Sequence, residues 1–161
     1  MMVFYRVLAL GRWGVSVAWI TPKIDWDSTD RYNFADLNRV ENNTEYVYDL
    51  LVLRGYISEL LVFIKSGRSI TYLEFYDSMN RIESNIEKLG DSFFLPDGWE
   101  PMNTNWVSGE TPFDYQVANR LENNLYLLED LLRRIPQLST ICGDPLSICG
   151  MSAVTAKIGG L

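Results

Sequence analysis

Three short runs in this chain set an arginine, a carboxylate and two amides at one fixed spacing. They are Asn38-Arg39-Val40-Glu41-Asn42-Asn43, Asn80-Arg81-Ile82-Glu83-Ser84-Asn85 and Asn119-Arg120-Leu121-Glu122-Asn123-Asn124. Paired carboxylates can do acid–base work on a glycosidic bond when they flank a cleft. Here Glu41, Glu83 and Glu122 each follow an arginine by two residues on a polar helix border, a setting that suits a solvated ion better than a raised-pKa acid. The chain has no histidine. That removes Ser-His-Asp and Cys-His nucleophiles, imidazole-bound zinc and the usual general base near neutral pH. Cys142 and Cys149 have no histidine to complete a metal site, and a cytosol would keep them as unreactive thiols. We therefore expect no catalytic residue, metal or cofactor, and read the recurring residues as an interaction motif.

The aromatic residues offer a second kind of chemistry. Trp26 and Trp106 each precede a motif by about a dozen residues, followed by serine and an acid. Packing of the indole over a helix start is the favoured reading, with ligand stacking as the alternative. Trp99 and Trp106 lie in a loop-rich stretch from Asp91 to Glu110, with a turn signal at Pro96-Asp97-Gly98. Such a loop could bind a sugar, but more often covers one end of a bundle.

These residues must be positioned by helices. The motifs recur 42 and 39 residues apart, which indicates one supersecondary unit per repeat. Each lies in an apolar stripe with steps of three and four: Leu37, Val40, Thr44, Val47 and Leu51; then Met79, Ile82, Ile86 and Leu89; then Val117, Leu121, Leu125, Leu128, Leu132 and Ile135. Thr71 with Glu74 reads as a capping box and Asn33 with Asp36 as a weaker one. Thr111-Pro112-Phe113-Asp114 marks a third start. Gly55, Gly90 and Pro136 mark the stops, so the third helix is predicted over 112–135.

On a helical wheel, Glu41 and Asn43 fall on opposite borders of the stripe, with Asn38 on the glutamate side and Arg39 on the asparagine side. In a ring of parallel helices one helix's Arg edge faces its neighbour's Glu edge. Between antiparallel helices, like edges meet. The repeat thus predicts parallel motif helices with returning segments, or parallel contacts between subunits. Against this stand two alternatives: the commoner up-down bundle, and helix borders that are simply solvated and worth little.

At 161 residues, 47% hydrophobic and with net charge −7, the chain suits one folded domain and argues against nucleic-acid binding. Its longest unbroken aliphatic or aromatic run, Leu60–Ile64, is far short of the roughly 20 residues that span a bilayer. Arg6 and Arg12 interrupt the apolar N-terminus, so no clear secretory signal is present. Gly11-Arg12-Trp13-Gly14-Val15 is encodable by G-rich DNA resembling a ribosome-binding site, which makes Val17 a candidate GTG start and residues 1–16 an untranslated extension. Residues 17–135 form the expected helical repeat domain. Residues 136–161 carry only Asp144 and Lys157 as charges and form an expected low-charge arm, packing on a partner or poorly ordered.

Two stretches resemble a known family. Thr21-Pro22-Lys23-Ile24-Asp25-Trp26 and Phe34-Ala35-Asp36-Leu37-Asn38-Arg39-Val40-Glu41-Asn42-Asn43 look like small tail-region structural proteins of phages and prophages of Gram-positive bacteria. The two C-terminal Cys-Gly steps are similar as well, and the resemblance covers about Ala18 to Gly150. It implies a virion component near the baseplate or tail fibre, made in the bacterial cytoplasm, with other tail proteins and further copies of itself as partners. It supplies no catalytic residue. The alternatives are a bacterial helical adaptor or a small carbohydrate-binding module. The expected fold is mainly α: three motif-bearing helices in a bundle with long irregular connections and an extended C-terminal arm.

Overall fold

The computed structural model describes residues 17–56, 64–65, 67–69, 76–109 and 112–135. The expected extension over 1–16, the arm over 136–161 with both cysteines, and the Thr71/Glu74 cap lie outside them. Three helices carry the three motifs: α1 (Phe34–Leu53), α2 (Tyr76–Asp91) and α3 (Tyr115–Arg134). Among the described residues there is no strand, and no helix is long and apolar enough to cross a membrane.

Local signals explain most of the boundaries. Asn33 and Asp36 form a complete capping box: the Asn33 side chain accepts from the Ala35 amide, and Asp36 accepts from the Asn33 amide at 2.9 Å. At the other end of α1, Tyr56 N–H donates to Leu51 C=O and Gly55 N–H to Val52 C=O, both at 3.0 Å. This Schellman pair needs a left-handed residue, and Gly55 supplies it at φ 76°. Helix α3 starts later than predicted. Asp114, not Thr111, is its N-cap and accepts from the amides of Gln116 and Val117, a carboxylate being as good a cap as a hydroxyl.

Gly90 does not stop α2, which continues to Asp91. Its role is close approach: a Cβ there would lie 2.8 Å from the Trp99 ring and 2.9 Å from Leu95. The loop after α2 thus lays an indole directly on the helix.

The core follows the repeat. Leu37, Met79 and Ala118 share one repeat position; Val40, Ile82 and Leu121 the next; then Thr44, Ile86 and Leu125; then Val47, Leu89 and Leu128. All twelve are buried. Steps of three, four and three keep one seam facing the axis, as in coiled coils. Thr44 satisfies its buried hydroxyl by donating to Val40 C=O at 2.8 Å.

Candidate functional site

The motif residues meet in three grooves, one between each pair of helices. Arg39 of α1 donates through Nε to Glu122 of α3 at 2.9 Å, and through Nη2 to the same carboxylate. Arg81 of α2 donates through Nη1 to Glu41 of α1 at 3.0 Å, and through Nη2 as well. Arg120 of α3 donates to Glu83 of α2 at 2.7 Å. Each helix gives its arginine to one neighbour and its glutamate to the other, so the three pairs close a ring within one chain.

An extended stretch of chain lies in each groove and is held by the same atoms each time. In the α1–α3 groove, Asn119 grips the backbone of Trp26 in both directions, at 2.8 and 2.9 Å. Glu122 accepts the Lys23 amide at 3.1 Å and the Trp26 indole N–H at 3.3 Å. Asn43 grips Ile20, accepting from its N–H and donating to its C=O at 3.0 and 2.6 Å. In the α2–α3 groove, Asn80 grips Trp106 at 2.5 and 3.1 Å. Glu83 accepts the Trp106 indole at 2.8 Å and also the Asn103 amide, while Asn124 grips Glu100 at 3.0 and 2.6 Å. In the α1–α2 groove, Asn38 grips Arg68 at 3.0 and 3.1 Å, and Glu41 accepts the Lys65 amide at 3.2 Å. Asn85, the remaining motif amide, is buried at 2% exposure.

This register fixes the direction of the helices. Along each segment, residues three apart meet motif residues in reverse order, so the segment runs against the helices. In the α2–α3 groove Asn80 and Glu83 hold Trp106 and Asn103, and Asn124 holds Glu100 further on. Both helices therefore run the same way. The same reading of the other grooves makes all three parallel. The alternatives of an up-down bundle and of pairing between subunits are replaced by an intramolecular parallel ring.

The expectation of solvated acids fails. The side chains of Glu41, Glu83 and Glu122 are 1%, 0% and 1% exposed, whereas their arginines are 24%, 19% and 18% exposed. The extended segments lie over the glutamates and exclude water from them. Without three donors apiece such buried carboxylates would be very costly. Arg39 faces two carboxylates: Asp36 also lies 3.1 Å from it, and the Glu122 hydrogen bond pushes its pKa up. Arg120 is the least well matched, its Nε being buried with no partner.

The tryptophans fit the packing reading. Trp26 and Trp106 are 7% and 6% exposed, and Trp99 packs partly buried on the core. Trp26 is clasped by α3 rather than by the helix that follows it in sequence. Arg68 was not foreseen as a member of the site. It replaces tryptophan at the third equivalent position, is 1% exposed and donates to Glu41 at 2.6 Å. No tryptophan marks that connection in the sequence. Beside Trp26, Tyr32 packs at 5.0 Å, and on Phe113 at 4.7 Å. Its hydroxyl is buried without a partner, and burial first, then the Glu122 and Asp36 charges, push its pKa well up.

Fold and site together define a class of architecture: three repeats of helix and groove-filling segment, closed by a cyclic set of Arg–Glu pairs. Comparison with protein-family profiles, curated proteins and solved structures finds no match for the chain.

Proposed function

We propose that the protein is a non-enzymatic structural component of a phage or prophage tail, near the baseplate or fibre, made in the bacterial cytoplasm and acting through protein–protein assembly. One observation carries the reading. The twelve motif residues, the candidates for chemistry in the sequence, are drawn into the packing of the bundle. The glutamates are enclosed rather than presented to a cleft, and an enclosed, triply hydrogen-bonded carboxylate has no route to a substrate proton. The stretches that resemble phage tail proteins, 21–26 and 34–43, are the extended segment and a helix of the α1–α3 groove. The resemblance therefore falls on residues that build the bundle. The surface of the bundle and the low-charge sequence of residues 136–161 are the contacts proposed for partners, including further copies of the chain.

The test is particle composition. Peptides of this chain should appear at fixed stoichiometry in purified tail particles from producing cells, and light scattering should show that removal of residues 137–161 lowers the association state of the protein. Particles lacking the chain, with a monomer in both forms, would overturn the proposal.

A further inference from the structure

The repeat continues beyond the buried motif to the surface. Four residues before each motif asparagine stands an aromatic side chain: Phe34, Tyr76 and Tyr115. Each stays partly open to solvent, at 38%, 46% and 39% exposure. Because the helices are parallel and the ring puts equivalent residues at equivalent heights, these three aromatics surround the axis at the N-terminal end of the bundle. Large exposed aromatics are a liability in water and the commonest anchors of protein interfaces. Here the sequence retains one in every repeat, outside the buried core.

The same end is acidic. Asp77 and Asp114 flank Tyr76 and Tyr115, and both are exposed. Asp27 and Asp30 line one groove with Tyr115 and Trp26, and Asp25 is 86% exposed. Lys23 is held by Asp30 at 2.7 Å, and Arg31 is the other cation of this stretch, exposed next to Asp30 in the chain. Two copies meeting at this end would set like charge against like.

We infer that this end docks coaxially on a homotrimeric protein, each subunit of which offers one apolar pocket rimmed by Lys or Arg to one of Phe34, Tyr76 and Tyr115. Three equivalent anchors on one chain match three identical pockets, and no other symmetry uses all three alike. The inference rests on the reading of the chain as an assembly component, but not on the particle being a phage tail.

The test uses the full chain in its native genetic context, with the photo-cross-linker p-benzoylphenylalanine placed in turn at 34, 76 and 115, and at Tyr126 as an exposed aromatic off the axis. Irradiated particles or complexes are digested and the cross-linked peptides sequenced. The inference predicts one and the same partner peptide at 34, 76 and 115, its absence at 126, and three partner subunits per chain by native mass spectrometry. Phe34→Ser, Tyr76→Ser and Tyr115→Ser, each shown by circular dichroism to remain folded at the assay temperature, should weaken the isolated complex by about tenfold and to similar extents. Different peptides at the three positions, cross-links to a second copy of this chain, or none at all would overturn it. If the chain is present in the particle but the cross-links disagree, the trimer inference alone fails; absence from any particle removes the assembly reading as well.

Discussion

Replacing Glu83 by Gln tests the ring where its geometry is simplest. Glu83 is 0% exposed and accepts from Arg120, from the Trp106 indole and from the Asn103 amide. Glutamine preserves the shape but offers only one acceptor oxygen. In its better orientation that oxygen keeps Arg120 and Trp106, and the new NH2 group faces the Asn103 N–H, donor against donor. A buried unpaired donor costs about 1–3 kcal/mol, and weakening of charge-assisted bonds adds about 1.5–3. The sum falls near the roughly 3–5 kcal/mol seen when one partner of a buried ion pair is removed. Against a typical total of about 5–15 kcal/mol, much of the stability is lost, and the melting temperature drops by about 10 °C or more. Urea unfolding followed by far-UV circular dichroism measures the change, and tryptophan emission reports whether Trp106 loosens. Glu41→Gln and Glu122→Gln should fall in the same range, with Glu41→Gln the most severe because it faces both Arg68 and Arg81. Losses below about 1 kcal/mol at all three positions would refute the argument. The double replacement Glu83→Met with Arg120→Met should cost less than either single change, because it leaves no orphaned charge.

Asn80→Ala removes both bonds that hold the Trp106 backbone and should cost about 2–4 kcal/mol, with a red shift in tryptophan emission as the check. Gly90→Ala gains about 1 kcal/mol of helix propensity but forces Trp99 and Leu95 aside, so net destabilisation of about 1–2 kcal/mol is expected; a stabilised variant would contradict the contact. Tyr32→Phe removes a buried hydroxyl that lacks a partner and should leave the protein equally or up to about 1–2 kcal/mol more stable at neutral pH. The folded-state pKa of Tyr32 is raised, so its ionisation leaves stability unchanged below pH about 10 and costs stability as the pH rises from there towards the folded value. Thermal melts between pH 8 and 11 should therefore show a shallower alkaline loss in Tyr32→Phe. Asp27 and Asp30 are held below the ordinary aspartate value, Asp27 by Thr29 first and Asp30 by Lys23 first. The ordering of this turn should persist above pH 3.8 and fail only as the pH drops through the lowered values, which carboxyl NMR titration would follow.

Much of this arrangement was legible in the residues. The alternation of three and four fixes a seam, and a fixed polar motif on its borders implies Arg-to-Glu pairing between parallel neighbours. What the helical wheel could not show was depth. Glu41 and Glu122 sit on a border that looks solvated until an extended segment lies over it, and that segment is held by its backbone groups, which leave no side-chain pattern. Arg68 escaped for the same reason: it lies in a connection whose sequence does not repeat the Trp of the others. A glycine near a helix end usually serves as a cap, so the sequence predicts a stop at Gly90, whereas it is the approach of Trp99 that requires it. The exposed aromatics Phe34, Tyr76 and Tyr115 repeat as faithfully as the motif, but only their exposure distinguishes them from core residues.

The parallel ring is tested most directly by distance. With Cys142 and Cys149 replaced by serine, spin labels at Phe34 and Tyr115 report the starts of α1 and α3, and labels at Phe34 and Arg134 report opposite ends. Helix α3 has 20 residues and is about 30 Å long at 1.5 Å per residue, whereas packed axes lie about 8–10 Å apart. Pulsed electron–electron double resonance on labelled protein diluted into unlabelled protein should give about 20 Å or less for the first pair and about 30 Å or more for the second. The reverse order would mean antiparallel helices and would contradict the ring.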